Sequence, residues 1–139
     1  MRRIETTVDV AASPERVWSV MSDVRAMPTW SDSMTSVELD PPGPLAVGSR
    51  ARIVQPKLSP ATWVVTELAA VRSFTWVSTA LGATVTAFHT ITPTSSGASV
   101  TLAVEYDGRF STVVAGLTRK ITTTYLRMEA EGLKRASER

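Results

Sequence analysis

From Ile4 to Val10 the chain alternates, with Ile4, Thr6, Val8 and Val10 on one face and Glu5, Thr7 and Asp9 on the other. A period of two predicts a half-buried strand. Ser13-Pro14-Glu15 then offers an N-cap hydroxyl, a proline at the first helical position and an acid in the first turn. Val17, Trp18, Val20, Met21 and Val24 continue at helical spacing until Pro28 interrupts it. The pattern predicts a helix over about 14–23 and a shorter one near 24–32. Thr35 to Leu39 reads as a strand, and Asp40-Pro41-Pro42-Gly43-Pro44 as a turn.

The middle of the chain is rich in Val, Thr, Ile, Trp and Phe. Strands are predicted over Ser49–Gln55, Ala61–Ala69, Ser73–Ala80, Ala83–Thr92 and Ala98–Asp107, punctuated by Pro56, Pro60, Gly82, Pro93 and a Ser95-Ser96-Gly97 turn. Short connections imply antiparallel neighbours. From about Ser111 the period lengthens. Val114, Leu117, Ile121, Tyr125, Met128 and Gly132 recur at three- and four-residue steps, predicting a helix of roughly 24 residues with that stripe buried. The only partner large enough for such a stripe is the sheet. The expected fold is therefore α+β: a seven-stranded, curved antiparallel sheet wrapped around a long C-terminal helix, with two short helices after the first strand. The first and last strands should meet, and the space between a curled sheet and a straight rod is the natural place for a pocket. No repeat or linker divides the chain, so one domain is expected over 1–139.

Composition narrows the chemistry. Of 139 residues, 43% are hydrophobic and 20% charged, as in an ordinary globular chain, and there is no Cys and one His, His89. Disulfides, thiolate nucleophiles and thiolate metal sites are excluded outright, and a three-histidine metal site with them. No phosphate-cradling glycine loop or nucleophile elbow appears, and no cofactor is expected. Net charge is +2, with six basic residues against three acids between Arg119 and Arg139. Those basic residues fall on one helix while most aromatics lie elsewhere, which argues against nucleic-acid binding. No apolar run follows Arg2-Arg3 and none is long enough to span a bilayer, so neither a signal peptide nor membrane insertion is expected, and the expected location is cytoplasmic.

Three stretches carry a family resemblance. Val8-Asp-Val-Ala-Ala-Ser-Pro-Glu-Arg-Val-Trp18, with Asp23 and Pro28-Thr29-Trp30-Ser31, is the first. Val47-Gly-Ser-Arg50 with Glu67-Leu-Ala-Ala-Val-Arg-Ser-Phe-Thr-Trp76 is the second, and Glu131-Gly-Leu-Lys-Arg135 the third. In this order they resemble the START-like (SRPBCC) superfamily, in its small bacterial polyketide cyclase/dehydrase and lipid-transport branch. One departure is Ala69-Ala70, where that branch usually has two prolines. The resemblance implies a helix-grip fold and a small apolar or aromatic ligand held between sheet and terminal helix. Because the scaffold hosts binders and enzymes alike, it does not choose between them.

Candidate residues follow from strand parity. Glu5, Asp9, Glu38, Glu105 and Asp107 fall on the polar faces of their strands and should meet water. Glu67 is ambiguous: it shares parity with Trp63, so it is either inward, with a raised pKa, or exposed beside an arginine. His89 lies on the apolar parity of its strand with Val85, Ala87 and Ile91. It is either a polar anchor for a ligand or a neutral core histidine satisfied by a hydroxyl such as that of Tyr106. Phe74 and Trp76 share a face, Tyr106 shares inward parity with Val104, and Trp30 ends the second short helix near the expected pocket mouth. The expected ligand-binding set is Trp30, Phe74, Trp76, His89, Tyr106, Leu117, Ile121 and Tyr125. Three functions stand open: binding of a small hydrophobic or aromatic molecule, by a monomer or homodimer; a cyclase or dehydratase with His89 or Glu67 as base; and a protein-interaction module.

Overall fold

Pro14 at the first helical position, after the Ser13 side chain has accepted a hydrogen bond from the Arg16 amide at 3.1 Å, starts the first helix where the sequence predicts it. In the computed structural model, which describes residues 2–80 and 82–139, that helix is α1 (Pro14–Met21). It follows strand β1 (Arg2–Val10). A 3-10 turn over Val24–Ala26 leads into α2 (Met27–Trp30), so the predicted second helix is split and ends at Trp30. Six strands follow: β2 (Ser36–Asp40), β3 (Arg50–Val54), β4 (Ala61–Ala69), β5 (Ser73–Ala80), β6 (Ala83–Thr94) and β7 (Gly97–Gly108). The chain closes with α3 (Ser111–Glu138), 28 residues long.

All seven strands form one antiparallel sheet in the order β1-β7-β6-β5-β4-β3-β2, so the first and last strands pair as expected, with Ile4 opposite Val104 and Val8 opposite Val100. Period-two alternation places Val100, Leu102, Val104 and Tyr106 on the inner face of β7, and Ala87, His89 and Ile91 on that of β6, all buried. One irregularity breaks the parity. In β4 the register slips between Val65 and Glu67, so that Val65 pairs with Trp76 while Glu67 pairs with the next residue, Thr75. The extra residue is a β-bulge, and it turns the strand over. Trp63 and Val65 face the core, whereas Glu67 is exposed.

The C-terminal half of α3 is tied down at several points. The Arg16 guanidinium donates to the carbonyls of Ala136 and Ser137 at 3.1 and 3.3 Å, satisfying acceptors that a helix end leaves free. Glu138 accepts from the Ala11 amide at 2.8 Å, and Lys134 donates to the Asp9 carbonyl at 3.0 Å. Small residues allow close approach: a Cβ on Gly132 would collide with the Trp30 carbonyl group. Ala130, Gly132, Leu133 and Ala136 are buried, whereas at the other end Val113 and Leu117 lie on the surface. The C-terminal end of the rod is seated, and space remains between the sheet and the side chains from Val114 to Glu129.

The helix phase differs from the one its apolar residues predict. Leu117, placed by periodicity on the buried stripe, is 80% exposed. The face turned to the sheet carries Val114, Thr118, Thr122, Leu126 and Glu129 instead. The reason is polar: Thr118 and Thr122 bond to Tyr106, so hydroxyls occupy positions that a simple hydrophobic stripe assigns to leucine and isoleucine.

Candidate functional site

A cavity of about 390 Å³ lies between the concave face of the sheet and α3. Its floor is built by alternate residues of five strands: Ile53 from β3, Trp63 from β4, Trp76 and Ser78 from β5, Val85, Ala87 and His89 from β6, and Val104 and Tyr106 from β7. Its roof is Val114, Thr118, Thr122, Tyr125, Leu126 and Glu129. Met34 and the β3–β4 loop, through Gln55, Lys57, Leu58 and Ser59, close one side. That loop is strapped to the roof by the Tyr125 hydroxyl, which donates to the Pro56 carbonyl. A second hollow, about 370 Å³, opens beside Trp18, Asp23, Leu45 and Leu68 and brings together none of the candidate residues.

His89 is 4% exposed and lies flat on Phe74, its cross-strand neighbour, with ring centroids 3.9 Å apart and planes 10° from parallel. Trp76 meets it edge-on at 5.4 Å. Its Nδ1 is 3.1 Å from the Phe74 carbonyl oxygen. A carbonyl can only accept, so Nδ1 carries the proton and Nε2 of the neutral ring presents a lone pair. Burial pulls the imidazole down from 6.5 to about 4, and the bond to Phe74 opposes this only in part. The partner is thus a backbone carbonyl and not Tyr106, and His89 is a neutral acceptor in the cavity wall.

Tyr106, 3% exposed, belongs to a directed chain of hydroxyls. Thr118 donates to the Val114 carbonyl at 2.7 Å, so its oxygen can only accept from Tyr106, at 3.1 Å. Tyr106 must then accept from Thr122, at 2.8 Å. All three protons are spent inside the protein.

Glu129 is the group that apolar periodicity overlooks. It is 6% exposed, lines the cavity, and burial alone pushes its carboxyl up from 4.5 to about 7, with no neighbouring charge or hydrogen bond offsetting the shift. The signal available in the sequence is its phase. Glu129 stands four residues beyond Tyr125 and seven beyond Thr122, on the face that those residues share.

Of the expected ligand set, Trp76, His89, Tyr106 and Tyr125 come together around this one cavity. Four do not. Phe74 is fully buried behind His89 and backs it. Trp30 packs against Gly132 of α3, away from the cavity, because the glycine lets the two backbones meet. Leu117 points to solvent, and Ile121 is half-buried outside the lining. Exposed Glu67 also lies outside it, which removes one of the two bases considered for catalysis. Among the described residues no group of three His, Asp or Glu could hold a metal ion, and no helix is long and apolar enough to cross a membrane.

The fold recurs in solved structures. TTHA0849 from Thermus thermophilus superposes with a TM-score of 0.77 at 17% identity, covering 98% of this chain and 97% of that one. Norcoclaurine synthase from Thalictrum flavum gives 0.74 at 17% identity, covering 96% and 84%. The di-domain ARO/CYC StfQ from the steffimycin biosynthetic pathway gives 0.78 at 12% identity, covering 98% of this chain and 50% of that one. At these identities the likeness concerns architecture alone. Comparison with curated protein sequences finds no match. The family model described as polyketide cyclase / dehydrase and lipid transport matches residues 1–138, and the chain belongs to that family.

Proposed function

We propose that the protein binds one small, largely apolar aromatic molecule in the cavity between the sheet and α3. The observation that carries this reading is the cavity itself: about 390 Å³ lined by Trp63, Trp76, Tyr106 and Tyr125, with two buried polar groups, His89 and Glu129, among its walls. That volume lies in the lower part of the usual range for small-molecule sites and suits a body of about two or three fused rings. Covering about 250 Å² of apolar surface contributes roughly 6 kcal/mol before the entropic cost of association. The family description, which joins cyclases and dehydrases with lipid transport, supports the same reading.

Titration with hydroxyanthracene, followed by quenching of Trp63 and Trp76, tests it. One saturable site per chain is expected. Ala87→Phe, which fills the floor, should weaken binding by about tenfold or more while far-UV circular dichroism is unchanged. A quenching curve that does not saturate, or that the filled variant reproduces, contradicts the reading.

One observation favours a second reading, in which the bound molecule is converted as well as held. A carboxyl near pKa 7 in the cavity wall is poised to exchange a proton at neutral pH, so Glu129, and not Glu67, takes the part of the acid or base. His89, held neutral as an acceptor, would orient the reacting group. Recovery of a bound polyketide-like phenol unchanged or dehydrated separates the two readings.

A further inference from the structure

Several polar groups of the chamber have already given their protons to other parts of the protein. The Thr122–Tyr106–Thr118 chain ends on the Val114 carbonyl and has none left. The Tyr125 hydroxyl is spent on the Pro56 carbonyl. The Gln55 amide gives one proton to the Ser33 carbonyl at 3.2 Å. His89 gives its Nδ1 proton to the Phe74 carbonyl and shows a lone pair. Ser78 can turn its hydroxyl either way. Glu129, more than nine-tenths buried and lining the same chamber, has no hydrogen bond or opposite charge to hold it among the described residues. Lys57, Ser59 and the indole N–H groups of Trp63 and Trp76 supply donors, so the group that stands out is the one unpartnered acid, beside the aromatic side chains of Trp63, Trp76 and Tyr125.

We infer that the ligand of this cavity is an amphipathic amine, whose ammonium group pairs with Glu129 and whose apolar body lies among the aromatic residues. This rests on the small-molecule reading above and names its chemical class. A buried carboxylate without a partner is costly, and an incoming cation removes that cost by forming a charge-assisted hydrogen bond in a weakly polar site. Aromatic faces add attraction for a cation that neither an alcohol nor a hydrocarbon receives. The remaining titratable groups facing the chamber are Lys57 from the β3–β4 loop, His89 from β6, and Tyr106 and Tyr125. His89 stays neutral above about 4, so it does not repel a cation at neutral pH.

Calorimetric titration of the whole chain with naphthylethylamine and with its isostere naphthylethanol tests the inference. At about pH 8, where Glu129 is ionised and an alkyl amine is still protonated, the amine should bind at least about tenfold tighter than the alcohol. The preference should shrink severalfold by about pH 5.5, where the carboxyl holds its proton. Glu129→Gln should abolish the preference and change alcohol affinity by less than about threefold. Glu129→Met, which cannot hydrogen-bond, should do the same and guards against a folding defect peculiar to the amide. Equal binding of amine and alcohol, or a preference that survives both variants, overturns the amine assignment and leaves the cavity reading intact. Binding of neither compound overturns both.

Discussion

Glu129→Gln is expected to raise the stability of the unliganded protein at about pH 8 and to change it little at about pH 5. The carboxyl has an ordinary value of 4.5 and is pushed up to about 7 by burial, so the folded chain holds this proton more tightly than the unfolded one. A group raised in this way contributes stability that is fully present below about 4.5 and is lost as the pH rises through about 7. The loss at about pH 8 amounts to roughly 3 kcal/mol, and the unpaired amide of the variant returns about 1 kcal/mol of it. A net gain of about 2 kcal/mol corresponds to roughly 6 °C in a domain of this length. His89 works in the opposite direction. Its value falls from 6.5 to about 4, so its contribution is present above 6.5 and is lost as the pH drops through about 4. The two slopes cancel between 4.5 and 6.5, and the wild-type profile should be flat there and fall above it. Urea melts of both proteins across this range check the expectation. Parallel profiles for wild type and variant would show that the carboxyl is not buried.

Gly132→Ala should cost about 3 kcal/mol, the upper end of what overpacking a rigid contact produces. The added Cβ would overlap the Trp30 carbonyl oxygen and sit 2.9 Å from its carbon, and these are backbone atoms that cannot turn aside. Relief requires α3 to rise from α2, which also carries Glu129 and Leu133 away from their neighbours. Gly116 provides the control on the same helix. A Cβ there meets nothing within 4 Å, so Gly116→Ala should stabilise by up to about 1 kcal/mol through helix propensity alone. Equal effects of the two substitutions in chemical denaturation would mean that the close crossing at Trp30 is absent.

The difference between these two glycines marks what can and cannot be read from the chain. Strand positions are legible because each face has one environment. Ala61–Ala69 and Ser73–Ala80 appear with the bounds that their composition predicts, and His89 is inward because a period of two has no other place for it. The bulge at Glu67 is not legible, since one extra residue between two mixed faces leaves no mark in their pattern. The phase of α3 escapes the pattern for a related reason. Apolar spacing assumes that a buried face is greasy, yet here the face above the cavity carries Thr118, Thr122 and Glu129, while Leu117 lies in water. Trp30 reads as a cavity residue because it ends α2 and is aromatic. Gly132, far from it along the chain, decides otherwise by admitting its backbone against α3. Long-range approach of this kind depends on the absence of a side chain, which single-sequence pattern does not distinguish from a flexible position.

The binding expectations descend from one geometric condition: room remains between α3 and the sheet, and its lining is largely apolar. A crystal pressurised with xenon tests that condition directly, since xenon enters dry apolar cavities without needing the natural ligand. The account predicts xenon density bounded by Trp76, Ala87, Val104 and Leu126. A difference map without xenon, with side chains of α3 packed down onto those residues, would contradict it.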